Sequence, residues 1–122
     1  MIAGINIRHI SKVGNYMKEI TYNKLVRDKI PQIIEASGKR CETEVLSGER
    51  YLEMLDKKLN EELAEYQQEK SLEELADLLE VLYAVAVARG HSLEELEQVR
   101  AEKKDKRGGF AEKIFLIKVT ED

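Results

Sequence analysis

Residues 52–88 decide the fold, and they read LEMLDKKLNEELAEYQQEKSLEELADLLEVLYAVAVA. Leu, Glu, Lys and Ala dominate this stretch, and all four residue types favour helix. Before Ser71 the apolar residues recur every three or four positions, as on one face of a helix. After Ser71 the spacing resumes with more apolar residues. The pattern predicts two helices, at about 49–69 and about 72–89, joined by a short turn.

Shorter elements are predicted on either side of this pair. Pro31 and Gly38 favour the start and the end of a helix at about 31–37, and Ser92 with Gly108-Gly109 bounds a third long helix at about 93–106. The alternation in CETEVL (41–46) and KIFLIKV (113–119) predicts strands. We therefore expect an all-α helical bundle with short terminal strands.

The chain of 122 residues fits one domain. Residues 1–16 show no steady period, so we expect the domain to span 17–122 and the leader 1–16 to be dispensable or poorly ordered. Cys41 has no second cysteine to pair with, and this fits a reducing cytoplasm. The longest uncharged run, 81–88, is too short to cross a bilayer. We expect a cytoplasmic protein that does not enter membranes.

The charge is distributed unevenly along the chain. Residues 1–40 carry a net charge of +5, residues 41–99 carry −11 and residues 100–122 carry +2. Nucleic-acid binders need a continuous basic face, so this distribution does not favour them. It suits a divalent cation at the centre and an anionic ligand contacted by the ends. A solvated acidic helix is the alternative interpretation.

Four acidic residues in the two long helices are candidate metal ligands: Glu62, Glu65, Glu74 and Asp77. Glu62 lies at the edge of the apolar face, where a purely structural helix would carry an apolar residue. In an antiparallel hairpin both pairs lie near the turn, and carboxylates three residues apart share a helical face. Oxygen ligands suit Mg²⁺ or Mn²⁺. A salt-bridged surface helix is the alternative.

A repeated motif helps to separate structural from functional acids. SLEELAD (71–77) and SLEELEQ (92–98) both begin with Ser-x-x-Glu, the capping box that closes a helix N-terminus. Capping therefore explains Glu74 and Glu95, whereas Asp77 needs another explanation because Gln98 replaces it in the second copy. The helix that begins near Ser71 is apolar on opposite sides, which predicts burial on both sides and hence self-association.

The sequence resembles the MazG-like, all-α nucleoside triphosphate pyrophosphohydrolases. NEELAEY (60–66) and EELADLLEVLYA (73–84) are similar to their ExxE…ExxD signature. YNKLVRDKIPQIIEASG (22–38) and KRGGF (106–110) resemble a subgroup described as phosphoribosyl-ATP pyrophosphohydrolase-like. The resemblance covers about residues 17–119.

The resemblance implies a Mg²⁺-dependent cleavage between the α- and β-phosphates of a nucleotide. It implies Glu62, Glu65, Glu74 and Asp77 as metal ligands, with Glu61 as an outer or alternate ligand. Glu62 or Glu65 would be the general base. It also implies pairing of helices with a second chain, as a homodimer or homotetramer.

An anionic substrate also requires cationic contacts. The candidates in the basic ends are Lys24, Arg27, Lys29, Lys103 and Arg107, with Arg107 favoured because Gly108-Gly109 permits close approach of the backbone to a phosphate. The leading function is a pool-cleaning nucleotide pyrophosphohydrolase. The alternatives are phosphoribosyl-ATP hydrolysis in histidine biosynthesis and a non-catalytic oligomerisation or nucleotide-binding module.

Overall fold

The computed structural model describes residues 12–13 and 16–122, with side chains from Lys18 onward. Four helices form the framework: α1 Ile30–Ala36, α2 Gly48–Glu69, α3 Leu72–Ala88 and α4 Leu93–Arg107. They confirm the all-α class, and each helix begins and ends within about two residues of its predicted bounds. Two short strands, β1 Lys12–Val13 and β2 Tyr16–Met17, pair antiparallel. Most of the predicted leader, namely residues 1–11 and 14–15, lies outside the described residues.

Helices α2 and α3 form an antiparallel hairpin with a two-residue connection. Lys70 adopts a left-handed conformation (φ 56°), and its backbone N–H donates to Tyr66 O at 2.7 Å, which ends α2. Ser71 then begins α3 and accepts a hydrogen bond from the Glu74 N–H at 3.2 Å. At the other end of the hairpin, Arg89 Nη2 lies 3.3 Å from Asp56 Oδ2. The short turn places the ends of α2 and α3 that carry the acidic motifs side by side.

A small apolar cluster fixes the segment before α2. Ile30 and Ile34 of α1 are buried, and Tyr22, Val26 and Cys41 pack against them. Pro31 lies in the first turn of α1, where its missing N–H costs nothing. Tyr22 and Val26 of segment 18–29 pack on this cluster. Lys24 and Arg27 of the same segment reach α2 and α3.

Helix α3 has two apolar sides with different surroundings. One side faces α2 and carries Glu74 and Asp77, which are buried and half-buried. The other side carries large apolar residues that remain exposed, among them Leu72, Leu75, Leu79, Leu82 and Tyr83. Helix α4 contacts α3 but leaves these side chains accessible. The sequence predicts that a second chain covers this side, and in the single chain it is uncovered.

The predicted strands at 41–46 and 113–119 differ from the structure. Neither segment belongs to a strand in the described part of the chain. Alternating residues favour an extended backbone, but a strand also needs a neighbour to accept and donate its hydrogen bonds. Neither segment has such a neighbour among the described residues, and neither forms a strand there.

None of the helices in the described residues is both long enough and apolar enough to cross a membrane.

The apolar cluster around α1 gives the first testable prediction. Ile34 is 6% exposed and its neighbour Ile33 is 40% exposed. We expect Ile34→Ala to lower the free energy of unfolding by about 2–5 kcal/mol, because it leaves a cavity in the cluster. The matched control Ile33→Ala should cost less than about 1 kcal/mol. Urea unfolding measures both, and equal losses would contradict the placement of the cluster.

Candidate metal centre

Carboxylates from α2 and α3 converge beside the turn of the hairpin. Glu62, Glu74 and Asp77 each offer one oxygen atom, and these atoms lie within 4.8 Å of one another. Glu65, one turn beyond Glu62, adjoins them and shares a hydrogen bond with the Glu74 side chain. The structure therefore brings together the four acidic residues that the sequence predicts as metal ligands.

Glu74 and Glu95 occupy the same position in the two copies of the Ser-x-x-Glu motif, but their side chains have different environments. In the second copy of the motif, Ser92 and Glu95 form the complete capping box, and the Glu95 side chain accepts from the Ser92 N–H at 3.2 Å. In the first copy Ser71 caps α3, but the Glu74 side chain does not return the bond. It lies buried in the cluster instead. The prediction that capping fully explains Glu74 is therefore wrong.

The cluster contains buried oxygen atoms that bond to nothing in the described part of the chain. Glu62 is 0% exposed; its Oε1 lies 3.3 Å from Lys58 Nζ as an ion pair, and its Oε2 has no partner among the described residues. One oxygen each of Glu65 and Glu74 is also buried without a partner. A buried polar atom without a partner costs about 1–3 kcal/mol, more when it is charged. The unpartnered oxygens, Glu62 Oε2 and one each of Glu65 and Glu74, are the atoms that a cation could satisfy.

Burial and mutual repulsion change the acidity of the two α2 carboxyls. Desolvation raises the pKa of Glu62 above its ordinary value of 4.5, against the opposing effect of the nearby Lys58 ammonium. Desolvation, followed by repulsion from Glu62 and Glu74, raises the pKa of Glu65 to about 7. The hydrogen bond between Glu65 and Glu74 acts in the same direction, because two carboxyls can share one only when one of them is protonated. The cluster thus holds protons near neutral pH in the absence of a cation.

Three basic side chains border the carboxylates. Lys58 Nζ lies 3.3 Å from Glu62 Oε1 and 3.4 Å from Glu61 Oε1. Lys24 Nζ lies 2.9 Å from Glu61 Oε1, and Arg27 Nη2 lies 2.7 Å from Asp77 Oδ1. Lys24 and Arg27 come from the segment that packs on α1, so this segment closes one side of the cluster.

Lys58 was not among the residues that the sequence predicts for the site. It is 5% exposed, although lysine is almost never fully buried without a charge partner. Its position one turn before Glu62 on the same face of α2 is the signal that could have identified it. The same spacing is common in surface ion pairs, so it identifies a buried lysine only once Glu62 is known to be buried.

The remaining predicted basic residues lie apart from the cluster. Lys29 is exposed at the N-terminus of α1, and Lys103 and Arg107 are exposed on α4. Among the described residues, no hydrogen bond or ion pair joins any of the three to the carboxylates. Their assignment as substrate contacts stays a prediction.

The composition of the site fits a hard divalent cation. It contains five carboxylates, with Glu61 included, and three cationic side chains, which leave a formal charge of −2. Carboxylate oxygens without histidine or cysteine are the ligand set of Mg²⁺ and Mn²⁺. The unpartnered oxygens of Glu62 and Glu74 are available as ligands, so the residues present fit one such ion.

The raised pKa of Glu65 predicts how stability depends on pH in the metal-free chain. A raised pKa means that the folded chain binds the proton more tightly than the unfolded chain does, so stability falls as the pH rises from 4.5 to about 7. Glu65→Gln, which has no proton to lose there, should flatten this decline. Urea unfolding in a chelator between about pH 5 and about pH 8 measures it. Parallel profiles for the two proteins would contradict the assigned environment of Glu65.

Lys58 gives a prediction with a neighbouring residue as its control. Lys58→Met removes the cation beside the buried Glu62 while keeping a side chain of similar length. We expect a loss of about 3–5 kcal/mol in the free energy of unfolding at neutral pH, because a buried carboxylate is left without its counter-charge. Lys57→Met, at an exposed position, should change it by less than about 0.5 kcal/mol. Similar values for the two variants would show that Lys58 does not balance the cluster.

Comparisons with known proteins give limited information about this chain. No family model matches it, and no solved structure matches it. A curated protein of Mycolicibacterium smegmatis, described as uncharacterized, is 50% identical over 42 residues. This match covers 34% of the present chain, and the chain spans 43% of the length of that relative. The chemical interpretation of the site therefore depends on its own geometry.

Proposed function

We propose that this chain is a Mg²⁺-dependent nucleotide pyrophosphohydrolase, a hydrolase that cleaves between the α- and β-phosphates and releases a nucleoside monophosphate and pyrophosphate. The observation that carries the proposal is the convergence of Glu62, Glu74 and Asp77 with buried oxygens that lack partners. The MazG-like resemblance of the acidic motifs and of the basic motif at 22–38 supports the same chemistry. Mn²⁺ is an alternative to Mg²⁺ because it accepts the same ligands.

Glu62, Glu74 and Asp77 would hold the ion. When bound, Mg²⁺ supplies charge neutralisation for phosphate oxygens and lowers the pKa of water. Their rigid placement on two paired helices suits this role, since helices hold ligands more accurately than loops do.

Glu65 is the better candidate for the general base, because it lies beside the group of three and is not one of its members. Its pKa is about 7 in the metal-free chain, and a bound cation would lower it, so that the carboxylate would be ionised and able to accept a proton at neutral pH. It would take the proton of the water that attacks the phosphorus atom. Glu62 stays the second candidate if Glu65 also binds the ion.

Lys24 and Arg27 would contact the phosphates of the substrate. Each already reaches a carboxylate of the site, and Arg27 has a planar guanidinium that can bind a phosphate through two hydrogen bonds. A cation at the cluster would balance the charge of Asp77, and Arg27 would then be available to bind an anion. Lys29, Lys103 and Arg107 are further candidates if another chain or a movement brings them to the site.

We also propose that the protein acts as a homodimer or homotetramer in the cytoplasm. The exposed apolar side of α3 supports the assembly, and the free thiol of Cys41 supports a reducing compartment.

Pyrophosphate release tests the proposed chemistry. With Mg²⁺ and a panel of ribo- and deoxynucleoside triphosphates, Glu62→Gln and Asp77→Asn should each lower kcat/KM by about 100-fold or more, since each removes a charged ligand of the ion. Glu69→Gln at the exposed end of α2 removes the same kind of charge outside the site and should retain full activity. Unchanged activity in the two site variants would refute the proposed centre.

The same assay separates the alternative functions. Preferred turnover of phosphoribosyl-ATP would place the enzyme in histidine biosynthesis. Calorimetry should show binding of Mg²⁺ to the wild-type chain and weaker binding to Asp77→Asn. Binding of nucleotide without metal-dependent release of pyrophosphate would favour a non-catalytic binding module.

A further inference from the structure

The chain exposes more surface than one folded chain of its mass. Its accessible surface is 10683 Å², whereas a folded monomer of 14.0 kDa exposes about 6,700 Å². Residues 1–17 can be removed from this comparison by subtracting the full surface that they would expose in an unfolded chain. Residues 18–122 then still expose about 2,000 Å² more than a folded monomer of their own mass. A standard interface covers about 800 Å² on each partner, so the excess is large enough for a stable dimer.

The first uncovered surface is the outer side of α3, here called the α3 stripe and defined by Leu72, Leu75, Leu79, Leu82 and Tyr83. All five residues are exposed. Glu73 and Glu80, both exposed, follow one edge of the stripe. Of the four acidic residues of α3, Glu74 and Asp77 face α2, so Glu73 and Glu80 give the border of the stripe a charge of −2. The stripe is therefore apolar with an acidic border.

The second uncovered surface is the C-terminal arm, residues 110–119. Its six large apolar side chains are 72–98% exposed, so none of them is buried against the described residues: Phe110, Ile114, Phe115, Leu116, Ile117 and Val119. The arm itself carries Lys113, Lys118 and Glu112, a net charge of +1. An extended segment of ten residues spans about 33 Å, and the 17 residues of α3 span about 26 Å. The arm is long enough to follow the whole stripe.

We infer that the C-terminal arm of one copy lies along the α3 stripe of a second copy, and that the exchange is reciprocal. The two surfaces are both apolar, and they carry opposite charges at their borders. Direct pairing of two stripes is the alternative, and the arm variants distinguish it from the exchange. A reciprocal exchange gives a closed dimer with twofold symmetry, in which both stripes and both arms are covered. The inference rests on the proposed homo-oligomer and is independent of the proposed hydrolysis.

Light scattering of the full chain tests the arm. The wild-type protein should have a mass of about 28 kDa, twice that of one chain. Phe115→Asp combined with Ile117→Asp should raise the dissociation constant of the dimer by about 100-fold or more, as expected when two central apolar contacts are lost. Thr120→Asp adds the same kind of charge at the end of the arm without removing an apolar side chain, and it should stay dimeric. Circular dichroism verifies that the variants keep their helices.

Charge reversal tests whether the arm pairs with the stripe, without removing apolar contacts. Lys113→Glu with Lys118→Glu should weaken the dimer, and adding Glu73→Lys with Glu80→Lys to the same chain should restore it. If the Asp variants lose their helices, this rescue decides the question. A monomeric wild-type protein would overturn the proposed assembly and this inference together. A wild-type dimer that the arm variants leave intact, or reversal without rescue, would overturn the placement of the arm alone.

Discussion

The repulsion between buried carboxylates at the α2–α3 turn is the constraint on which the rest of the structure depends. Among the described residues, three apolar side chains are buried (Ile30, Ile34 and Leu55) and as many charged ones (Lys58, Glu62 and Glu74). Two carboxylate oxygens about 5 Å apart repel by about 3 kcal/mol at an effective dielectric constant of 20. Well-packed apolar residues in these positions would give a more stable helix pair. Under the proposed function, the cluster costs stability and provides ligands for a cation, and functional sites are where local rules of folding are broken.

The segment before α2 gains its importance from this cluster. Ile30 and Ile34 form a core too small to stabilise a domain, but it anchors the segment that carries Lys24 and Arg27. The ion pairs of these two residues with α2 and α3 join the α1 region to the hairpin. Lys24 and Arg27 reduce the negative charge of the cluster, as a divalent ion would. A change in the packing of α1 is therefore expected to move Lys24 and Arg27, and so to alter the charge balance of the cluster.

The helices could be predicted because their determinants are local: apolar periodicity, serine caps and the glycines that end them. Glu62 could be identified because a single helix already places it at the edge of the apolar face. The environment of Glu74 could not, since Ser71-x-x-Glu74 and Ser92-x-x-Glu95 are the same local motif and only the packing of α2 against α3 distinguishes them. Lys58 escaped prediction for a similar reason, because a lysine four residues before a glutamate looks alike on a surface and in a core. The strand predictions at 41–46 and 113–119 failed because a strand also depends on hydrogen-bond partners that local sequence does not specify.

The position of α3 connects the proposed site with the proposed assembly. Glu74 and Asp77 face α2 from one side of this helix, and the uncovered stripe lies on the other side. Helix α3 contacts α2 and α4 but its stripe is uncovered, whereas cation binding requires oxygen atoms fixed within a few tenths of an ångström. A second copy seated on the stripe would hold α3 from behind and lower the entropic cost of ordering the carboxylates. Since coupling between two binding events is reciprocal, a cation that orders α3 would strengthen the dimer by the same factor. Catalytic competence and assembly would then depend on one helix.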